Sequence, residues 1–277
     1  MNLFELLEKR EIDPTAEFRR LVELFNEEAI PLTHFVNQSF KDWIDKRFRS
    51  IPMRSSFLFV DDMLKELEIK EKTEQFVDFD QLFLYCEVLF NLINQVLKQI
   101  ARGSEVEKQA VAIIDNINEV LEKTNHEMKK IEAGFVVIEK NPATTEAIEC
   151  LEEKNADLAL NMIEYNRVLL KGNLQRKREI LSNMAGYVEP MKVLFRGTDY
   201  FKLYDNSRNM VNNLNIRHNN SGKDDIPEYA KNWGDKEYEE WYDNAYHTLL
   251  MVILAKKQLE ITQAFNKLKS GESKVEK

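Results

Sequence analysis

Cysteine, glycine, proline and histidine are all scarce in this 277-residue sequence, and long uncharged apolar runs are missing. The two cysteines, Cys86 and Cys150, lie inside apolar-periodic stretches and read as small buried hydrophobes, which argues against a disulfide framework. Eight glycines and six prolines leave few breaks, the profile of helices joined by short connections. A multi-histidine metal site would have to recruit nearly all of His34, His126, His218 and His247 from distant segments, so no metal and no cofactor are expected. No window approaches the roughly 18 apolar residues of a membrane span, and Met1-Asn2-Leu3-Phe4-Glu5 lacks the basic start of a signal peptide. A cytoplasmic chain without a membrane partner is the expectation. The glycine-rich phosphate loop, His-Glu-x-x-His, Cys-x-x-Cys and Gly-x-Ser-x-Gly are also absent, which argues against nucleotide hydrolysis and zinc chemistry. Neither an internal repeat nor a heptad pattern sustained over several turns indicates a solenoid or a long coiled coil.

What is present is ample apolar and charged content, 43% and 31%. Asp13-Pro14 begins a helix expected to reach Ala29. Pro31 opens a second one, in which Phe35, Phe40, Trp43, Ile44 and Phe48 recur at helical spacing until Ile51-Pro52. Asp78 to Ile100 is the most apolar long stretch and predicts a helix buried on most sides. Glu87 on it has two readings, the helix's polar edge or a buried partner for an arginine. Ser104 starts a helix running to about Lys123. Glu127–Ile131 and Phe135–Glu139, joined by Glu132-Ala133-Gly134, predict a hairpin. Asn141-Pro142 caps a helix expected to continue from Ala143 to about Leu170, stopped by Lys171-Gly172-Asn173. Helices over Leu174–Val188, about Asp199–Leu214, and Asp235 to about Lys269 complete the chain. The expected fold is all-α, a multi-helix bundle with one small β-hairpin near 126–140. It divides into an N-terminal helical preface at 1–72, a bundle at 73–270 and a polar tail at 271–277.

A net charge of −9 argues against a protein that coats nucleic acid nonspecifically, because that requires lysines and arginines to displace counterions. The charge is uneven, however. From Arg167 to Arg217 ten basic residues face four acidic ones, and Arg176-Lys177-Arg178 forms a cluster that reads either as a solvated helix face or as part of a phosphate track. The stretch ends in Arg217-His218-Asn219-Asn220. A histidine near neutral pKa moves a proton on or off a ribose 2′-hydroxyl or a leaving oxygen, an arginine holds the phosphate, and amides orient substrate oxygens, so this run has the parts for metal-free RNA cleavage. The plainer reading is a hydrogen-bonded corner between two helices.

Asn215-Ile216-Arg217-His218-Asn219-Asn220 followed by a long last helix resembles the C-terminal half of HEPN-domain proteins of bacterial toxin and phage-defence systems. Tyr165-Asn166, Gly172, Lys177 and Ile180-Leu181 are similar to positions in helical proteins related to abortive infection. Over roughly residues 75–270 the resemblance implies a helical bundle, commonly a homodimer or a partner of another defence protein, that acts as a metal-independent ribonuclease. On that resemblance His218 is the general acid or base, and Arg208-Asn209 matches the family's arginine followed by a polar residue. Nine residues separate Arg208 from His218, more than the family's usual interval, and Arg217 adjoins the histidine. Catalysis is therefore expected from His218 with Arg217 or Arg208. Substrate contacts are expected from Asn213, Asn219, Asn220, Arg176, Lys177 and Arg178. A non-catalytic interaction or RNA-binding module is the alternative that the resemblance leaves open.

Overall fold

The computed structural model describes residues 12–52, 56–69, 76–151, 153–216, 230 and 232–270, and it is mostly helical. The chain divides into two compact units, 1–140 and 141–277.

In the first unit, α1 (Pro14–Asn26) starts where Asp13 accepts hydrogen bonds from the Thr15 and Ala16 amides, offsetting donors that a helix start leaves unpaired. Its apolar stripe, Phe18, Leu21, Val22 and Phe25, is buried, and Phe18 packs on Tyr85 at 4.8 Å. The expected second helix from Pro31 does not form there. Ile30–Pro31 (β1) pairs antiparallel with Asn37–Gln38 (β2), and the Leu32 and Thr33 amides both donate to the Val36 carbonyl. The helix, α2 (Phe40–Asp45), begins only at Ser39, whose hydroxyl and backbone form a reciprocal capping box with Asp42 that satisfies two donors at once. Phe35, expected to face a core, is 96% exposed at the loop tip.

After the short α3 (Val60–Glu66), the unit's centre is α4 (Phe79–Val96), which is buried through Leu82, Tyr85, Cys86, Leu89, Leu92 and Ile93. It packs with α1 and with α5 (Glu105–Lys123). The hairpin pairs β3 (His126–Ile131) with β4 (Gly134–Glu139), from His126↔Glu139 to Ile131↔Gly134. Its loop is therefore the two residues Glu132-Ala133, and Gly134 belongs to the strand. Glu87 Oε2 accepts from the Val137 amide of β4 at 3.1 Å. One turn on, Asn91 both accepts from the Phe135 amide (2.8 Å) and donates to its carbonyl (2.7 Å). These two side chains pair with backbone groups of β4 that β3 does not reach.

In the second unit the helix expected over 143–170 is broken into α6 (Pro142–Glu149) and α7 (Ala156–Tyr165), with short 3₁₀ turns at Glu153–Asn155 and Val168–Leu170. A straight helix would hold Ala147 and Met162 about 22 Å apart. The breaks let both enter one core, where each is fully buried. Four helices follow: α8 (Leu174–Val188), α9 (Lys192–Phe195), α10 (Phe201–Asn213) and α11 (Asp235–Ser270). α11 packs on α6, α8 and α10 through Tyr246, Leu249, Leu250 and Ile253, against Ile180, Leu181, Met184 and Val211.

Candidate functional site

The last described part of the basic stretch is α10 and the turn after it. The last turn of α10 closes with the Ile216 amide donating to the Val211 carbonyl (3.0 Å) and the Asn215 amide to the Asn212 carbonyl (3.2 Å). Asn215 stands at φ 54°. This is the left-handed helix stop that asparagine tolerates better than most residues, completed by a buried residue just beyond it. Ile216 supplies that burial. Arg208 is exposed five positions before the end of α10 and lines a shallow cleft with Val188, Glu189, Tyr204 and Val211. It makes no ion pair with another described residue. Asn213 is the exposed last residue of the helix. Because α10 ends at Asn213, only about 7.5 Å of helix separates it from Arg208. Arg217, His218, Asn219 and Asn220 follow in the chain and lie outside the described residues.

Arg176, Lys177 and Arg178 do not share one environment. Arg176 makes a two-pronged pair with Glu164, Nε to Oε1 at 2.8 Å and Nη2 to Oε2 at 2.7 Å, and its Nη1 reaches Glu179 at 3.1 Å. That hydrogen bonding holds the Glu164 carboxyl below the usual carboxylate range and keeps Arg176 protonated. Lys177 is buried, with Nζ 2.7 Å from Asp243 and 2.9 Å from Glu239. Arg178 is half-buried. Two of the three consecutive charges are thus held by carboxylates of the same unit.

Around Lys177 lies the most developed polar cluster among the described residues. Asp243 Oδ1 accepts from both Lys177 and the Tyr165 hydroxyl (2.9 Å). Glu239 Oε1 accepts from the Gly172 amide at 2.7 Å, where Gly172 takes φ +76°, a region open to glycine. The rings of Tyr165 and Tyr246 stack at 4.0 Å. The Tyr246 hydroxyl meets Thr144 Oγ1 (2.8 Å), accepts from Asn166 (2.7 Å) and donates to the Met162 carbonyl (3.1 Å). Burial pushes both tyrosine hydroxyls well above their ordinary range, and for Tyr165 the Asp243 carboxylate adds to it. Although its burial works the other way, Glu239 is held below its ordinary value by Lys177 and the Gly172 amide. Every member has a partner, so the cluster is a clamp that ties α6, α7, α8 and α11 together. Sequence reasoning singled out Tyr165, Asn166, Gly172 and Lys177 but missed Thr144, Glu239, Asp243 and Tyr246. The last three lie at i, i+4 and i+7 on α11, a spacing that marks one helix face.

Among the described residues no group of three or more metal-ligating side chains converges, and no helix is long and apolar enough to cross a membrane. No family model, no curated protein and no solved structure matches the chain.

Proposed function

We propose that this chain is a HEPN-like, metal-independent endoribonuclease of a bacterial phage-defence or toxin system, working on RNA in the cytoplasm. The observation that carries the reading is the run Arg217-His218-Asn219-Asn220 at the end of a net-basic stretch in an otherwise acidic protein. It is supported by the firmly stopped end of α10 directly before that run and by exposed Arg208 and Asn213 on the same helix. In the proposed reaction the ribose 2′-hydroxyl attacks the adjacent phosphorus and loses its proton. The P–O5′ bond breaks, and the leaving oxygen takes up a proton. The products are a 2′,3′-cyclic phosphate and a 5′-hydroxyl. His218 carries one of these proton transfers, Arg217 or Arg208 holds the phosphate, and Asn213, Asn219 and Asn220 orient its oxygens.

A second reading is a non-catalytic interaction or RNA-binding module, and one observation supports its interaction form: Arg176 and Lys177 are held by carboxylates of their own unit and so are not free for phosphate. The test is incubation of wild type and His218→Ala with total tRNA and mRNA in EDTA, with the RNA ends analysed. Cleavage by wild type alone, leaving cyclic phosphate ends, is expected. Intact RNA with both folded proteins overturns the enzymatic reading, and RNA binding measured on the same samples then decides for or against the module.

A further inference from the structure

Helix α10 is built from poor helix formers. Four of its thirteen residues are asparagine and none is alanine or glutamate, and Asn215 follows in the turn that stops it. Asparagine is a costly choice in a helix interior, because its short amide competes for backbone partners. Elsewhere in the chain that competition is settled locally: the Nδ2 of Asn26, Asn91, Asn94, Asn116 and Asn166 each donates to the carbonyl four residues earlier, at 2.7–2.9 Å. On α10 it is not. The side chains of Asn206, Asn212 and Asn213 make no hydrogen bond to another described residue, and that of Asn209 reaches only Asp205, at 3.5 Å. All four are exposed.

These amides are presented together. Lys202, Asn206, Asn209 and Asn213 follow at i, i+4, i+7 and i+11, a single stripe along about 16 Å of helix, and exposed Arg208 and Asn212 flank it on one side. Neither Lys202 nor Arg208 pairs with a described carboxylate, and Asp205 is the only acid on the helix. The opposite face, through Tyr204, Ser207 and Val211, is buried. We infer that the exposed face of α10 binds an unpaired RNA strand and leads it to the Arg217-His218 run that follows the helix, an inference that rests on the reading of that run as an RNA-cleaving site. Lysine and arginine meet phosphates, but amides both donate and accept, which suits base edges and the 2′-hydroxyl. Those edges are open in an unpaired strand, whereas an A-form duplex withdraws them into a deep, narrow groove that side chains do not read. Lys202, Asn206, Asn209 and Asn212 thereby join Asn213 as substrate contacts.

The test uses the full chain carrying His218→Ala, so that RNA stays intact, and a fluorescein-labelled RNA either unpaired or annealed to its complement, read by fluorescence anisotropy. The unpaired strand is expected to bind more tightly than the duplex. The triple variant Asn206→Ala, Asn209→Ala, Asn212→Ala is expected to weaken that binding by about fivefold for each hydrogen bond lost. It is also expected to raise the melting midpoint, because alanine is the better helix former; a purely structural role moves both readings down together. Lys202→Ala is expected to reduce the salt dependence of binding by about one phosphate contact. Unchanged affinity in the triple variant, or a duplex bound as tightly as the unpaired strand, overturns the inference, as does weaker binding accompanied by a lower melting midpoint. Cleavage by wild type, with an unchanged KM in a triple variant that keeps His218, overturns this inference alone. Weaker binding in the triple variant together with no cleavage by wild type overturns the enzymatic reading alone.

Discussion

Replacing Lys177 by methionine keeps most of the side chain's volume and removes its charge from a buried position between two carboxylates. Removing one partner of a buried pair costs about 3–5 kcal/mol, because the remaining charge is stranded. Here the stranded carboxylates are not sealed off: the Asp243 side chain is 43% exposed and that of Glu239 19%. Water takes over part of their stabilisation, and about 2 kcal/mol is the expected loss. The neighbouring Arg176→Met is the control, since its pairs lie at the surface and such pairs contribute less than about 1 kcal/mol. Urea unfolding followed by tryptophan emission in a Trp43→Phe background reads the second unit, which holds Trp233 and Trp241. The acid limb provides a second readout. Glu239 is held below its ordinary value of 4.5 in the folded chain, so the folded state favours its charged form. That contribution is complete above pH 4.5 and disappears as pH falls through the lower folded value. Lys177→Met therefore flattens the loss of stability below pH 4.5. A Lys177→Met protein no less stable than Arg176→Met, with an unchanged acid limb, refutes the clamp.

Two further substitutions test single backbone devices. A Cβ at Gly134 would meet Asn91 Oδ1 at 2.6 Å with φ at 146°, so Gly134→Ala is expected to cost about 1–3 kcal/mol in urea unfolding. Asn91→Ala leaves the Phe135 backbone without its side-chain partner and is expected to cost about as much. Asn215→Ala puts an unsuited residue at the left-handed stop of α10, and a loss of about 1 kcal/mol is expected. The same variant is expected to lower RNA cleavage if the α10 terminus positions Arg217 and His218, and unchanged cleavage with reduced stability separates the two roles.

Much of the fold was legible in local rules. Asp13-Pro14, Ser104 and Asn141-Pro142 start helices because a side-chain oxygen satisfies the first free amides, a matter of residues three apart in sequence. The hairpin at 126–139 was legible from its β-branched second strand around a glycine. The helix expected from Pro31 was misplaced because the apolar spacing of Phe35 and Phe40 outweighed the capping box at Ser39-Asp42, which sets the start. The long helix expected over 143–170 is instead two helices whose buried Ala147 and Met162 lie in one core, an arrangement that no local window contains.

For the candidate site the division is similar. The sequence by itself determined the Arg217-His218-Asn219-Asn220 run, a helix ending near Leu214 and the excess of basic charge before that run, because residue type and adjacency suffice for those. Only the tertiary structure decided that Lys177 is buried against Glu239 and Asp243, that Arg176 is taken by Glu164, and that Tyr165 and Tyr246 share one clamp. The partners stand 12 to 81 residues apart along the chain, and a charge shows its sign in sequence whereas its neighbours are set by how helices far apart in sequence pack their faces together.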